Sequence, residues 1–144
     1  MATSNKAAWQ AIQSHLMAMG YSPQAMIGEP RSGVQDGMIA IIPLSGEVDE
    51  TVLTAPREVH RCILRMYRNW LDEPQADIEF LLDQFRADIM EDVFGDFDLG
   101  GNVAHALPTE FAWEYSIETV ENTRYRTIDL TVAYRVDPSG PFTP

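Results

Sequence analysis

Apolar and polar side chains alternate along residues 127–136, which read TIDLTVAYRV. The even positions carry apolar residues: Ile128, Leu130, Val132, Tyr134 and Val136. This period of two predicts a strand with one buried face. A second alternating run places Phe111, Trp113, Tyr115 and Ile117 on one side. With a turn at 121–123 between the two runs, the pattern predicts a hairpin over 111–136.

A spacing of three and four residues predicts two amphipathic helices. The stripe in 5–19 comprises Ala8, Trp9, Ile12, Leu16 and Met19, and the stripe in 75–94 comprises Ile78, Leu81, Leu82, Phe85, Ile89 and Val93. Gly20 and Gly95 follow the stripes where helices commonly stop. We expect the apolar face of the C-terminal strand to cover the second helix.

The region between the helices is less regular. Residues 20–37 are rich in Gly and Pro and predict a long connection. Residues 38–44 form an apolar run that predicts a buried strand, and Pro43 places that strand at a sheet edge or ends it. Residues 45–56 are acidic and predict a long loop.

Residues 57–70 fit two patterns. As a helix, this segment would line up four arginines on one side: Arg57, Arg61, Arg65 and Arg68. As a strand, it would alternate with Val59, Arg61 and Ile63 on one face. Its β-branched and aromatic residues, and Pro56 before it, favour a strand.

The predicted elements define an α+β fold: a single domain over 1–144, with a mainly antiparallel sheet packed against two amphipathic helices. Residues 137–144 follow the last strand as a short C-terminal tail. A chain of 144 residues is long enough to bury its own core without disulfides or metals.

Charge is unevenly distributed in a chain whose formal net charge is −12. Residues 72–98 contain ten acids against Arg86 alone, whereas 57–71 contains four arginines against Glu58. These segments are either two solvated faces, paired within one molecule, or complementary faces that meet between copies of the chain. A net negative field repels phosphates, which argues against binding nucleic acid through overall charge.

No familiar catalytic, cofactor or metal motif occurs. The three histidines are far apart, and Cys62, the sole cysteine, is predicted to be a buried apolar residue. The stretch from Asp96 to Asn102 resembles the start of a calcium loop, but Gly100 and Leu107 occupy positions that need oxygen ligands. We therefore expect no cofactor and no metal. The longest apolar run is too short to span a membrane, so no membrane partner is expected.

The stretch LLDQFRADIMEDVFGDFDLGGNV, followed by an aromatic strand and RYRTIDLTVAYRVD, resembles the tail terminator (tail completion) proteins of long-tailed bacteriophages. In that family a helix leads to a "d..LGG.V" turn, and a hairpin closes the chain. The hairpin pattern is matched by Tyr125, Ile128, Leu130, Val132, Tyr134, Arg135 and Asp137. The sequence pattern of the family is matched over residues 78–137, and its order of helices and strands is matched over most of the chain.

The resemblance implies a structural virion protein without enzymatic activity. Such proteins form a homo-hexameric ring on the end of the tail tube, stop its polymerisation and provide the head-docking surface. Its partners would be further copies of itself, the tail tube protein and a head–tail connector protein. DNA would pass through the ring without specific binding. The protein would be assembled in the host cytoplasm and reside in the virion tail.

Within this hypothesis, two sets of residues are candidates. The subunit-interface set comprises Arg57, Arg61, Arg65, Arg68, Asp129 and Arg135. The set facing the lumen or a partner comprises Glu47, Asp49, Glu50, Asp88, Glu91 and Asp92. Other classes stay open: another head–tail connector or neck protein, a small acidic secretion-type chaperone, and an enzyme or ligand-binding protein with an unfamiliar site.

Overall fold

A computed structural model describes residues 6–18, 24–52, 55–69, 75–95, 105–106 and 111–136. The helices are α1 (Lys6–Ala18) and α2 (Gln75–Gly95); the strands are β1 (Ala25–Ile27), β2 (Ile39–Val52), β3 (Ala55–Asn69), β4 (His105–Ala106), β5 (Ala112–Val120) and β6 (Thr123–Val136). The α+β prediction, with two helices and a mainly antiparallel sheet, is confirmed. The candidate tail 137–144 lies outside the described residues.

The strands form one sheet in the order β1-β2-β3-β6, with β4 and β5 both beyond β6. β5 pairs with β6 over Thr123–Thr131, and β4 pairs with it at Tyr134 and Arg135, so the two strands lie end to end along the same side of β6. All pairings are antiparallel except β1 with β2. β6 is therefore bordered by strands on both sides.

The main core lies between the two helices and one face of the sheet. The stripes predicted for the helices supply Ala8, Ile12 and Leu16 from α1, and Ile78, Leu82, Phe85 and Ile89 from α2. The sheet supplies Ile39 and Ile41 from β2, Cys62, Leu64 and Met66 from β3, and Ile128, Leu130, Val132 and Tyr134 from β6. Burial of this apolar surface is the main force that holds the two layers together. The predicted packing of the TIDLTVAYRV strand against the second helix is confirmed.

The opposite side of the sheet, which we call the open face, carries a second, smaller cluster. Ala40, Tyr67 and Tyr125 are buried there beside the connection 28–37, and the Tyr125 hydroxyl donates to the Val34 carbonyl at 3.2 Å. The Gly37 amide donates to the Tyr67 carbonyl at 2.7 Å. The connection therefore covers one end of the open face.

The prediction of a loop over 45–56 is wrong. β2 continues to Val52 and pairs with β3 from Ala55 onward, so most of this segment is an extension of the β2–β3 pair, which we call the arm. Of the two alternatives predicted for Pro43, a sheet edge is confirmed and the end of the strand is not: the ladder with β3 shifts register between Pro43 and Ser45 and continues. β1 pairs only with Ile39–Ile41, so no described strand borders β2 on that side at Pro43. The N–H that proline lacks therefore costs no hydrogen bond with a neighbouring strand there.

The predicted connection 20–37 contains β1, a three-residue parallel strand that the Gly and Pro content concealed. The strand assignment preferred for 57–70 is confirmed by β3. The hairpin over 111–136 is confirmed too, and its turn places Glu121 and Asn122 at positive φ of 50° and 65°. That backbone is typical of a type I′ turn, whose twist matches the flanking strands.

Neither described helix is long and apolar enough to cross a membrane. Among the described side chains, no group of three or more His, Cys, Asp or Glu is arranged to hold a metal ion. Cys62 is fully buried, as predicted, and burial raises the pKa of its thiol to about 12. A thiol with that pKa stays protonated near neutral pH and is a poor nucleophile.

Candidate functional site

The most developed polar arrangement lies on the open face, where Arg65 of β3 stands opposite Asp129 of β6. The Arg65 Nε donates to Asp129 Oδ1 at 2.6 Å, and Nη2 donates to Oδ2 at 2.9 Å. The two side chains are only 12% and 17% exposed. A bidentate pair of this kind fixes both side chains in position and is stronger than a single hydrogen bond.

Two more carboxylates approach the same guanidinium. Glu29 of the connection lies 3.4 Å from Arg65 Nη1, and Glu118 of β5 lies 3.6 Å from Nη2. The hydrogen bond to Asp129 is the main cause that raises the pKa of Arg65, against the opposing effect of burial. Burial also raises the pKa of Tyr67, which hydrogen bonds to Arg65. We call these five residues the Arg65 cluster; with one cation and three carboxylates, it carries net negative charge.

A cavity of about 570 Å³ adjoins this cluster. It lies between the connection and the end of β5, and its lining includes Glu29, Arg31, Tyr67, Glu118 and Glu121. Three of these side chains are acidic and one is basic. The cavity is therefore suited to a cationic group rather than to a phosphate.

Two of the other arginines predicted for a subunit interface also form ion pairs within the chain. Arg61 lies 3.0 Å from Glu47 of β2, and Arg68 lies 3.5 Å from Asp36 of the connection. Arg135 is half-buried at the far end of β6. The side chain of Arg57 lies outside the described residues. Arg61, Arg65 and Arg68 are therefore paired within one molecule, but these partners are acids outside 72–98 rather than members of the acidic segment.

The acids predicted to face a lumen or partner fall at two separate places. Glu47 lies on β2 and is 60% exposed despite its pairing with Arg61. On α2, Glu91 is exposed and Asp88 accepts a hydrogen bond from Gln84 at 2.8 Å. The side chains of Asp49, Glu50 and Asp92 lie outside the part of the chain that the structure describes.

Sequence reasoning missed a second charged group, on the helix side of the sheet. Arg126 of β6 donates to Glu79 of α2 at 2.6 Å, and the Tyr115 hydroxyl donates to Asp83 at 3.0 Å. Hydrogen bonds from Arg86 and Tyr115 lower the pKa of Asp83. These contacts attach β5 and β6 to α2. Two acids of the 72–98 segment, Glu79 and Asp83, are thus paired with Arg126 and Arg86.

A second, smaller cavity lies where α1 meets the β2–β3 arm. It has a volume of about 220 Å³ and is lined in part by Trp9, Leu44, His60 and Tyr134. His60 stacks on Tyr134 and lies 2.7 Å from Glu58. The volume of this cavity suits a single side chain better than a drug-sized ligand, which needs at least about 300 Å³.

Large apolar side chains remain exposed on β5 and α2. Trp113 and Ile117 of β5 are 44% and 47% exposed, and Phe80 of α2 is 70% exposed. Arg86 lies over the Trp113 ring, 4.6 Å from its centroid, and covers part of it. The alternation of β5 predicted a buried apolar face, but this strand is too far from the centre of the core to bury it fully.

The fold and these surfaces define a small acidic α+β protein with a charged sheet face and a partly exposed outer strand. No protein-family model matches the chain, and no curated protein matches it either.

Proposed function

We propose that the chain is a tail terminator of a long-tailed bacteriophage, which acts without enzymatic activity as a ring on the end of the tail tube. The ring would stop tube polymerisation and offer the surface that docks to the head through a connector protein. In this role the protein is assembled in the host cytoplasm and resides in the virion tail.

The observation that carries the proposal is the order of helices and strands in residues 78–137, whose sequence resembles the family. α2 (Gln75–Gly95) is followed along the chain by the β5–β6 hairpin. The β6 residues of the family pattern divide between the two faces of the strand. Ile128, Leu130, Val132 and Tyr134 are buried in the main core, whereas Tyr125 is buried in the open-face cluster. The motif thus corresponds to packing that any member of such a fold would need.

The charge pattern adds support at the surface. A ring is built from heterologous contacts, in which one patch meets a different patch on the neighbour. Arg65 is largely buried by its own chain, so less buried members of the two candidate sets are better contact residues: Glu47, which is 60% exposed beside the partly exposed Arg61, and Glu91 on α2. The excess of acids in the chain also suits a channel through which DNA slides without binding.

The test is the mass and shape of the assembly. Light scattering and electron microscopy of the purified chain, alone and mixed with phage tail tubes, should reveal six-fold rings or capped tube ends. Arg61→Glu should weaken the assembly, because it places a carboxylate beside Glu47 and removes the cation from the contact. Arg124→Glu is the matched control, because Arg124 is exposed at the other end of the sheet.

Three outcomes would contradict the proposal. Wild type and Arg61→Glu could behave as the same salt-insensitive monomer, with and without tubes. Arg124→Glu could disrupt assembly as strongly as Arg61→Glu, which would remove the arm from the contact. A stable dimer that copurifies with a bound effector would instead indicate a secretion-type chaperone.

A further inference from the structure

The outer edge of β5 is the least protected edge of the sheet. β5 pairs with β6 in unbroken register from Ala112 to Val120, and among the described residues no strand pairs with its other side. The strand contains no Pro, no Lys and no bulge; of the features that usually prevent edge pairing, it has only the charged side chains of Glu114 and Glu118. By contrast, the outer edge of β2 has Pro43 and two register shifts. β5 therefore offers nine residues of backbone to an incoming strand.

The two faces of β5 differ in chemistry. On the helix side, Trp113 and Ile117 are each nearly half exposed. On the open face, Glu114 is exposed and Glu118 is 33% exposed beside Arg65. Side chains of a strand alternate between faces, so a partner strand would meet an apolar surface and an acidic surface at successive positions.

The large cavity continues the acidic side of this edge. Glu118 lines it together with Glu29 and Glu121, and the adjacent Thr119 and Val120 of β5 complete that wall. Its volume of about 570 Å³ is enough to admit a long side chain. A basic side chain projecting from a strand beside Glu118 could enter it and contact these carboxylates.

We propose that the outer edge of β5 binds an extended segment of another protein in which basic residues alternate with apolar ones. The segment adds a strand to the sheet, places its apolar side chains on Trp113 and Ile117, and directs its basic side chains toward Glu114, Glu118 and the cavity. Backbone hydrogen bonds supply affinity, and the two faces supply specificity.

Charge complementarity identifies the partner as a different protein. A second copy pairing through its own β5 would bring glutamates against glutamates, which is destabilising across a strand pair. The strands of this chain that mix basic and apolar residues, β3 and β6, already have neighbours on both sides. The inference does not depend on the proposed function, because it rests only on the edge, its side chains and the cavity.

The probe is a nine-residue peptide that alternates Lys with Val, compared with a peptide of the same length that alternates Glu with Val. Binding is measured by isothermal titration, and the site is located by amide hydrogen exchange resolved by residue. The Lys peptide should bind the full chain, slow the exchange of alternate β5 amides, and lose affinity as salt increases. The Glu peptide should not bind.

Charge reversal on the strand tests the assignment of faces. Glu114→Lys should weaken binding of the Lys peptide by about fivefold, since it converts a favourable cross-strand pair into a repulsive one. Glu114→Gln should have a smaller effect in the same direction. Asp77→Lys, an equal charge change at the exposed start of α2, should change the affinity by less than twofold.

Several results would overturn the inference. The Lys peptide could bind without protecting β5 amides, or bind Glu114→Lys and Asp77→Lys equally, which would reduce the effect to overall charge. The Glu peptide could bind as tightly. The protein alone could also self-associate with protected β5 amides, which would show that a second copy occupies this edge.

Discussion

At the scale of single residues, Arg65 is the residue whose observed role differs most from the role that the sequence predicted. The arginines of 57–70 were candidates for contacts between copies, yet Arg65 is held by Asp129 with two hydrogen bonds inside the chain. The sequence could not reveal this pair, because the two residues are 64 positions apart and meet only through the β3–β6 register. Arg65 therefore contributes to the stability of one molecule, whatever contacts its surroundings make.

We expect Arg65→Ala to lower the free energy of unfolding by about 2–3 kcal/mol, because it leaves a largely buried Asp129 beside other carboxylates without a cation. Chemical denaturation with urea measures the change. Arg31→Ala is the control, since Arg31 is exposed and should alter stability by less than about 0.5 kcal/mol.

A second substitution identifies the cause. Adding Asp129→Ala to Arg65→Ala should recover part of the lost stability, because the uncompensated carboxylate is then removed. If the double variant is as unstable as the sum of the two single variants, the two side chains act independently and the pair is not the source of the effect.

At the scale of elements, hydrophobic periodicity identified both long helices and the β5–β6 hairpin, because each buries one regular stripe. It failed over 45–56, where the arm has acidic residues and a glycine rather than a buried face. Strand formation there depends on the pairing of β2 with β3, a property that a single segment does not carry. The same applies to β1, whose three residues are strand only because β2 lies beside them.

The arm provides a prediction about local stability. Among the described residues, β3 pairs with both β2 and β6 over 58–66, whereas 55–57 pair with β2 alone. Amide exchange should therefore be considerably faster at 55–57 than at 62–66, because a two-stranded ribbon opens without disrupting the core. Comparable protection of both segments would show that another surface covers the arm, as it would in an assembled ring, so the measurement should be repeated at several protein concentrations.

At the scale of the whole molecule, charge is the dominant property. The formal net charge is −12. The described arginines of β3 are paired with acids, so the excess acids have few cations left to pair with. Composition revealed the excess of acids, but only the fold shows where it lies: on the exposed side of α2, on the arm and around the large cavity. Repulsion among these acids opposes the compact state.

We expect neutral salt to stabilise the protein. Raising NaCl from 20 to 500 mM at pH 7 should increase the free energy of unfolding by about 1 kcal/mol, because screening weakens the repulsion among exposed acids. Thermal denaturation followed by circular dichroism measures the effect. The same series at pH 5, closer to the isoelectric point of about 4.4, should give a smaller increase. A decrease in stability with salt at pH 7 would mean that attractive ion pairs outweigh repulsion.

The position of β6 in the chain has a consequence for biosynthesis. β6 borders β3, β4 and β5, yet it follows all of them in sequence. During translation the β2–β3 hairpin is made first, and the β3 edge with Cys62, Leu64 and Met66 has no second partner until β6 leaves the ribosome. The nascent chain thus exposes an apolar strand edge while residues 70–136 are synthesised, which makes this interval vulnerable to aggregation.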